Sequence, residues 1–158
     1  MLGPARRRAY GPSTRILDMH ASPQSDPIRV LLIEDDDDSA EITRRLLVRF
    51  GADVLVAGSV ADALSAAVKI RPEVVLSDIY LPDGNGFELI PRLRDHLRDQ
   101  LPGLAPFCVA TSGVGGAMND ARSGAARFDR FLQKPIEPRL LQALVEDARG
   151  RRSAPLSA

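Results

Sequence analysis

The sequence predicts an α/β fold built on a doubly wound, five-stranded parallel sheet. Three observations carry that expectation. Five short apolar runs recur along the chain: IRVLLI (28–33), DVLVA (53–57), EVVLS (73–77), FCVAT (107–111) and RFL (130–132). Residues that are apolar at successive positions suit strands covered on both faces, as in a parallel sheet. Helical patterns separate the runs, and a βαβαβαβαβα order with right-handed crossovers puts helices on both sides of the sheet.

Each element has its own signal. After the first run, residues 39–49 place Ile42, Leu46 and Leu47 on one helical face, with Gly51 as the stop. Ser59 and Asp62 resemble a capping box ahead of Leu64, Ala67 and Val68. Residues 87–98 set Phe87, Ile90, Leu93 and Leu97 on one side, and Pro91 is expected to distort or shorten the first turns. The segment LRDHLRDQLPGLAPF (93–107) is long, which argues for an extended third helix or loop. Residues 117–126 form a weak helical pattern between glycines; residues 138–148 open on a proline and align Leu140, Leu141, Leu144, Val145 and Ala148. Outside this region, residues 1–27 lack apolar periodicity and are expected to be disordered, with Met19 an alternative start, and 149–158 to be a flexible tail. The folded domain is then 28–148.

Composition narrows the function. The 158 residues are 44% apolar and 27% charged, a usual globular mix, and no apolar run approaches a membrane span. Arg6, Arg7 and Arg8 precede no apolar stretch, so no signal peptide is expected. Cys108 is the only cysteine, which fits a small core residue in a reducing cytoplasm. The net charge is zero, but residues 1–27 carry +2 and 148–158 carry +3, leaving −5 across 28–147. An acidic centre is not the footprint of a nucleic-acid-binding domain.

In doubly wound folds the site forms beyond the carboxyl ends of the strands. Glu34 and Asp35 follow the first run, Asp78 the third, Thr111 and Ser112 close the fourth, and Lys134-Pro135 follow the fifth. Three carboxylates, a hydroxyl and an ammonium should therefore converge on one edge. Gathered carboxylates repel, and a hard divalent cation such as Mg2+ relieves that. The remaining groups are those phosphoryl transfer needs.

The pieces IEDD, SDIYLPDGNG, TSG and FLQKP, in that order at strand ends, resemble the receiver domain of two-component response regulators. The resemblance covers about residues 28–148 and implies a flavodoxin-like sheet of strand order 2-1-3-4-5. It implies that Asp78 accepts a phosphoryl group from the phosphohistidine of a sensor histidine kinase or phosphotransfer protein. Asp35 would hold Mg2+ directly, Glu34 mostly through water, and Asp78 and the backbone carbonyl of Tyr80 would complete the protein ligands. Lys134 would pair with the phosphoryl oxygens, with a cis Lys134–Pro135 bond. Phe131 stands at the switch aromatic, although core packing alone would also explain it. Asp36, Asp37 and Asp38 are read as caps of the first helix.

Two hydroxyls compete for the switch position. The family's spacing to Lys134 favours Ser112, with Thr111 as the alternative. The expected function is a stand-alone receiver that signals by protein contact through the face of the fourth helix, fifth strand and fifth helix. Neither nucleic acid nor membrane is an expected partner, and a homodimer is compatible. The rival is a relay receiver passing phosphate to a phosphotransfer histidine. A Mg2+-dependent phosphohydrolase is more distant, because Tyr80 stands where such enzymes place a second acid.

Overall fold

A computed structural model describes residues 26–113 and 128–154. Five parallel strands form one sheet: β1 (Ile28–Ile33), β2 (Ala52–Ala57), β3 (Val74–Asp78), β4 (Phe107–Ser112) and β5 (Arg130–Gln133), in the order β2-β1-β3-β4-β5. This is the predicted doubly wound α/β sheet and its strand order. The weak helical pattern at 117–126 lies outside the described residues.

Alternation along the strands explains why the central runs are apolar throughout, whereas the edge strand β2 departs from two-sided burial and leaves Leu55 and Val56 exposed. Leu31 and Ile33 of β1 join Val75 and Cys108 in a core under α2 (Val60–Ile70) and α3 (Gly86–Gln100). Their neighbours Ile28, Val30 and Leu32 join Leu76 and Val109 in a second core under α1 (Asp37–Arg49) and the C-terminal helix (Pro138–Ser153). Truncating one of these fully buried leucines, such as Leu31 or Leu76, to alanine costs about 2–5 kcal/mol.

Several boundaries differ from expectation. The first helix begins at Asp37, two residues early, because Asp36 accepts the Ser39 backbone N–H at 2.8 Å and so caps it. Ile42 is not a core residue: it is 63% exposed, and Ala40 and Leu47 supply the fully buried contacts. Pro91 does not shorten α3, which runs unbroken from Gly86 to Gln100. The apolar face of Leu89, Ile90, Leu93 and Leu97 is fully buried, and that burial outweighs the roughly 3 kcal/mol an interior proline costs.

The expected flexible tail from residue 149 is also corrected. The C-terminal helix continues to Ser153, and Arg149 donates to the carbonyls of Phe50 and Gly51 at 3.2 Å each. Arg152 grips both carboxylate oxygens of Glu73, at 2.8 and 2.6 Å, and donates to the carbonyls of Asp26 and Pro27. Those last two bonds tie down the final residues of the segment expected to be disordered; residues 1–25 lie outside the described range.

Candidate functional site

Strands β1, β3 and β4 are neighbours, so their carboxyl ends bring distant residues to one edge. Glu34 stands directly after β1 and is almost fully buried, its backbone N–H bonded to the Ala57 carbonyl at 3.0 Å. Its Oε1 accepts the Asp36 N–H at 3.1 Å, and its Oε2 accepts from the Lys134 ammonium at 2.5 Å. Lys134 also donates to Asp78 Oδ2 at 3.0 Å. Glu34, Asp35 and Asp78 each offer a carboxylate oxygen within 4.8 Å of the others.

The charge balance of this cluster is uneven. One ammonium faces three carboxylates, and each like-charge pair at such distances costs about 3–4 kcal/mol at an effective dielectric near 20. Burial works against the Lys134 ammonium, but the bonds and charges of Glu34 and Asp78 outweigh it and raise its pKa above the ordinary lysine value. Lys134 is therefore fully charged at neutral pH. The donor set is all oxygen and carries surplus negative charge, which fits a hard divalent cation held by Asp35, Asp78 and Glu34.

Local backbone contacts hold Asp78 in place. Buried Ser77 donates from Oγ to the Asp78 carbonyl at 2.8 Å, and the Ile79 N–H bonds the Thr111 carbonyl at 3.2 Å. Gly86 closes the loop by donating to the Ile79 carbonyl at 2.7 Å. A Cβ at Gly86 would meet the Asp78 carbonyl oxygen and the Phe128 ring, both at 3.1 Å, so only glycine fits without displacement. The segment between β3 and α3 is a small hairpin, pairing Tyr80 with Asn85 and Leu81 with Gly84. Tyr80 thus sits two residues beyond Asp78 with its ring exposed.

The hydroxyls separate by one step of β4. Asp78 is in register with Thr111, and Ser112 with Gln133 one residue further along. Both hydroxyl residues are buried. Thr111 lines a pocket of about 480 Å³ with Leu32, Glu34, Ile42, Lys134 and Ile136. Ser112 is on the opposite pleat, and its carbonyl accepts the Lys134 N–H at 2.9 Å. The Lys134–Pro135 bond is cis. Phe131 packs edge-on against Phe128 with centroids 5.7 Å apart, and Phe128 against Phe87 at 6.2 Å. Sequence reading named Phe131 and Phe87 but missed Phe128, although the FDRF stretch places it one residue before the Asp129-Arg130 pair.

The carboxyl ends of four strands thus gather these groups at one edge of the sheet. The family model described as the response regulator receiver domain matches residues 30–146. The chain belongs to that family. The receiver is 35% identical over 132 residues to the transcriptional regulatory protein TrcR of Mycobacterium tuberculosis, covering 82% of this chain and 48% of TrcR. It is 33% identical over 120 residues to an uncharacterized 14.6 kDa protein of Leptolyngbya boryana, covering 74% of this chain and 86% of that protein. The chain thus spans about half of TrcR. Among solved structures, a CheY-like response regulator receiver domain from Methylobacillus flagellatus superposes with a TM-score of 0.66 at 31% identity, covering 77% of this chain and 98% of that one. A two-component response regulator from Clostridium difficile, at 19% identity and a TM-score of 0.69 over 80% of this chain and 99% of that one, shares the fold. Receivers are signalling phosphoacceptors of two-component signal transduction. Among the described residues no helix is long and apolar enough to cross a membrane.

Proposed function

We propose that this receiver takes a phosphoryl group onto Asp78 from a histidine kinase or phosphotransfer protein, in a Mg2+-dependent reaction, and signals by protein contact. The observation that carries this reading is the Lys134 ammonium bonded to both Glu34 and Asp78 at 2.5 and 3.0 Å. It holds a fixed positive charge beside a carboxylate nucleophile. An Asp78 carboxylate oxygen attacks phosphorus in line as the bond from phosphorus to the donor's imidazole nitrogen breaks. The nitrogen leaves with the electron pair and takes up a proton, and an acyl phosphate remains on Asp78. Lys134 then meets the charge of the phosphoryl oxygens, and Ser112 donates a hydrogen bond to one of them.

Asp35, Asp78, Glu34 through water and the Tyr80 carbonyl would hold Mg2+, which when bound neutralises charge shared by the carboxylates and the phosphoryl oxygens. Phe131 follows Ser112, and the altered face around β5 and the C-terminal helix meets the partner. The reverse transfer, to a phosphotransfer histidine, uses the same atoms. Incubation with acetyl phosphate should add one phosphoryl mass only when Mg2+ is present. Asp35→Ala should cut that uptake severely and Asp37→Ala should leave it near the wild-type rate. Equal losses from the two substitutions, or uptake without Mg2+, would defeat the reading.

A further inference from the structure

The hairpin that follows Asp78 carries two helix caps, and one of them belongs to a helix far away in sequence. Asn85 caps α3, the helix it precedes, by accepting the Glu88 N–H at 3.0 Å. Asp83, at the hairpin's turn, reaches instead across to α2. Its Oδ1 accepts the Val60 N–H at 2.7 Å and its Oδ2 the Ala61 N–H at 3.2 Å. Ser59 already caps that helix by accepting the Asp62 N–H at 3.1 Å. The first three N–H groups of α2 are therefore satisfied by two different segments, two of them by Asp83. The Val60 N–H holds the Asp83 carboxyl below its ordinary range, as expected for a carboxylate at a helix N-terminus.

This arrangement exceeds what α2 needs. Ser59 alone meets the usual requirement for a cap, and a carboxylate on the hairpin adds a fixed attachment between two segments otherwise joined by side-chain packing. That packing is close: Leu81 and Val60 share one core, and a Cβ at Gly84 would meet Val60 Cγ2 at 3.1 Å. Between Asp78 and Asp83 lie only four residues, Tyr80 among them.

We infer that Asp83 is a positioning residue for the cation site: by gripping the N-terminus of α2 it fixes the hairpin on which Tyr80 presents its backbone carbonyl. The role rests on the proposed Mg2+ reading, in which that carbonyl is a ligand. Groups that orient ligands without touching the metal commonly change affinity by 10- to 100-fold when removed. Asp83 works through backbone rather than through a bond to the ligand, so the lower end of that range applies.

The test measures Mg2+ binding to the full chain by calorimetry, alongside the thermal midpoint without Mg2+, for wild type, Asp83→Ala, Asp83→Asn and Ser59→Ala. Both alanine variants remove a cap from the same helix and should lower the midpoint by similar amounts. Only Asp83→Ala should weaken Mg2+ binding, by roughly tenfold. Asp83→Asn keeps one acceptor oxygen for Val60 and should fall between Asp83→Ala and wild type, which serves as the measurement if the alanine variant does not fold. Ser59→Ala should bind Mg2+ within about twofold of wild type. Unchanged Kd values in both Asp83 variants, or an equal loss in Ser59→Ala, would overturn the role while leaving the metal reading intact. A wild-type chain that binds no Mg2+ would overturn both.

Discussion

Lys134 is the residue on which the site's charge balance turns, since its ammonium is the one cation bonded to Glu34 and Asp78 among the described residues. Lys134→Met should leave Glu34 and Asp78 without that partner. We expect the metal-free protein to lose about 1–2 kcal/mol, at the low end for a partly buried pair because Lys134 retains some solvent exposure. Added Mg2+ should restore part of the loss, and urea titration with and without the ion measures it. The hydroxyls offer a second test at this scale. Ser112→Ala should still permit phosphorylation but blunt the amide shifts around Phe131 when beryllofluoride mimics the phosphoryl group, and Thr111→Val should leave them nearly intact. The reverse pattern would place the switch at Thr111, which shares Asp78's register. Residues such as Asp35, Asp78 and Lys134 were readable in the sequence because their chemistry is conspicuous at strand ends. Asp83 and Ser77 were not: Asp83's partner lies 23 positions away, and Ser77's role is a backbone bond that no side-chain pattern announces.

Among the elements, the C-terminal helix departs furthest from its sequence reading. Its apolar positions end at Ala148, and the last turns are held by arginines instead. A pattern search for buried faces misses such contacts, because guanidinium groups reach carbonyls and carboxylates without burying an apolar stripe. The same blindness assigned Ile42 to the core by spacing, although it faces outward beside the pocket. Truncation after Ala148 should therefore cost about 1–3 kcal/mol, a drop of several degrees in midpoint, rather than nothing. Burial opposes the Glu73 carboxylate, but the bonds from Arg152 and the Arg29 N–H outweigh it and lower its pKa. A carboxyl depressed by folding stabilises above its unfolded value of about 4.3, and that contribution is lost as pH falls through the lower folded value. The stability gap between full-length and truncated chains should thus be widest at neutral pH and narrow below about pH 4. A gap that holds constant down to pH 3 would show that Glu73 is not the anchor.

At the scale of the whole molecule, the two-sided apolar strands dictate a sheet with helices on both faces, and that layering brings four strand ends to one edge. The fold was readable for this reason, since the periodicity sets the layers and the layers set the site; the family resemblance came from IEDD, SDIYLPDGNG, TSG and FLQKP at the strand ends. Ligation there should stabilise the entire domain by mass action. Beryllofluoride with Mg2+ at about a hundred times its Kd should add roughly 2.7 kcal/mol to the unfolding free energy of wild type and almost nothing to that of Asp78→Asn. The central claim is narrower still, that Asp78 itself carries the phosphoryl group. Borohydride reduces an acyl phosphate and converts the aspartyl residue to homoserine, which peptide mass spectrometry locates. After acetyl phosphate and Mg2+, the mark should fall on Asp78 alone and vanish in Asp78→Asn; a mark on Asp35 or elsewhere, or one that survives in Asp78→Asn, would contradict the account.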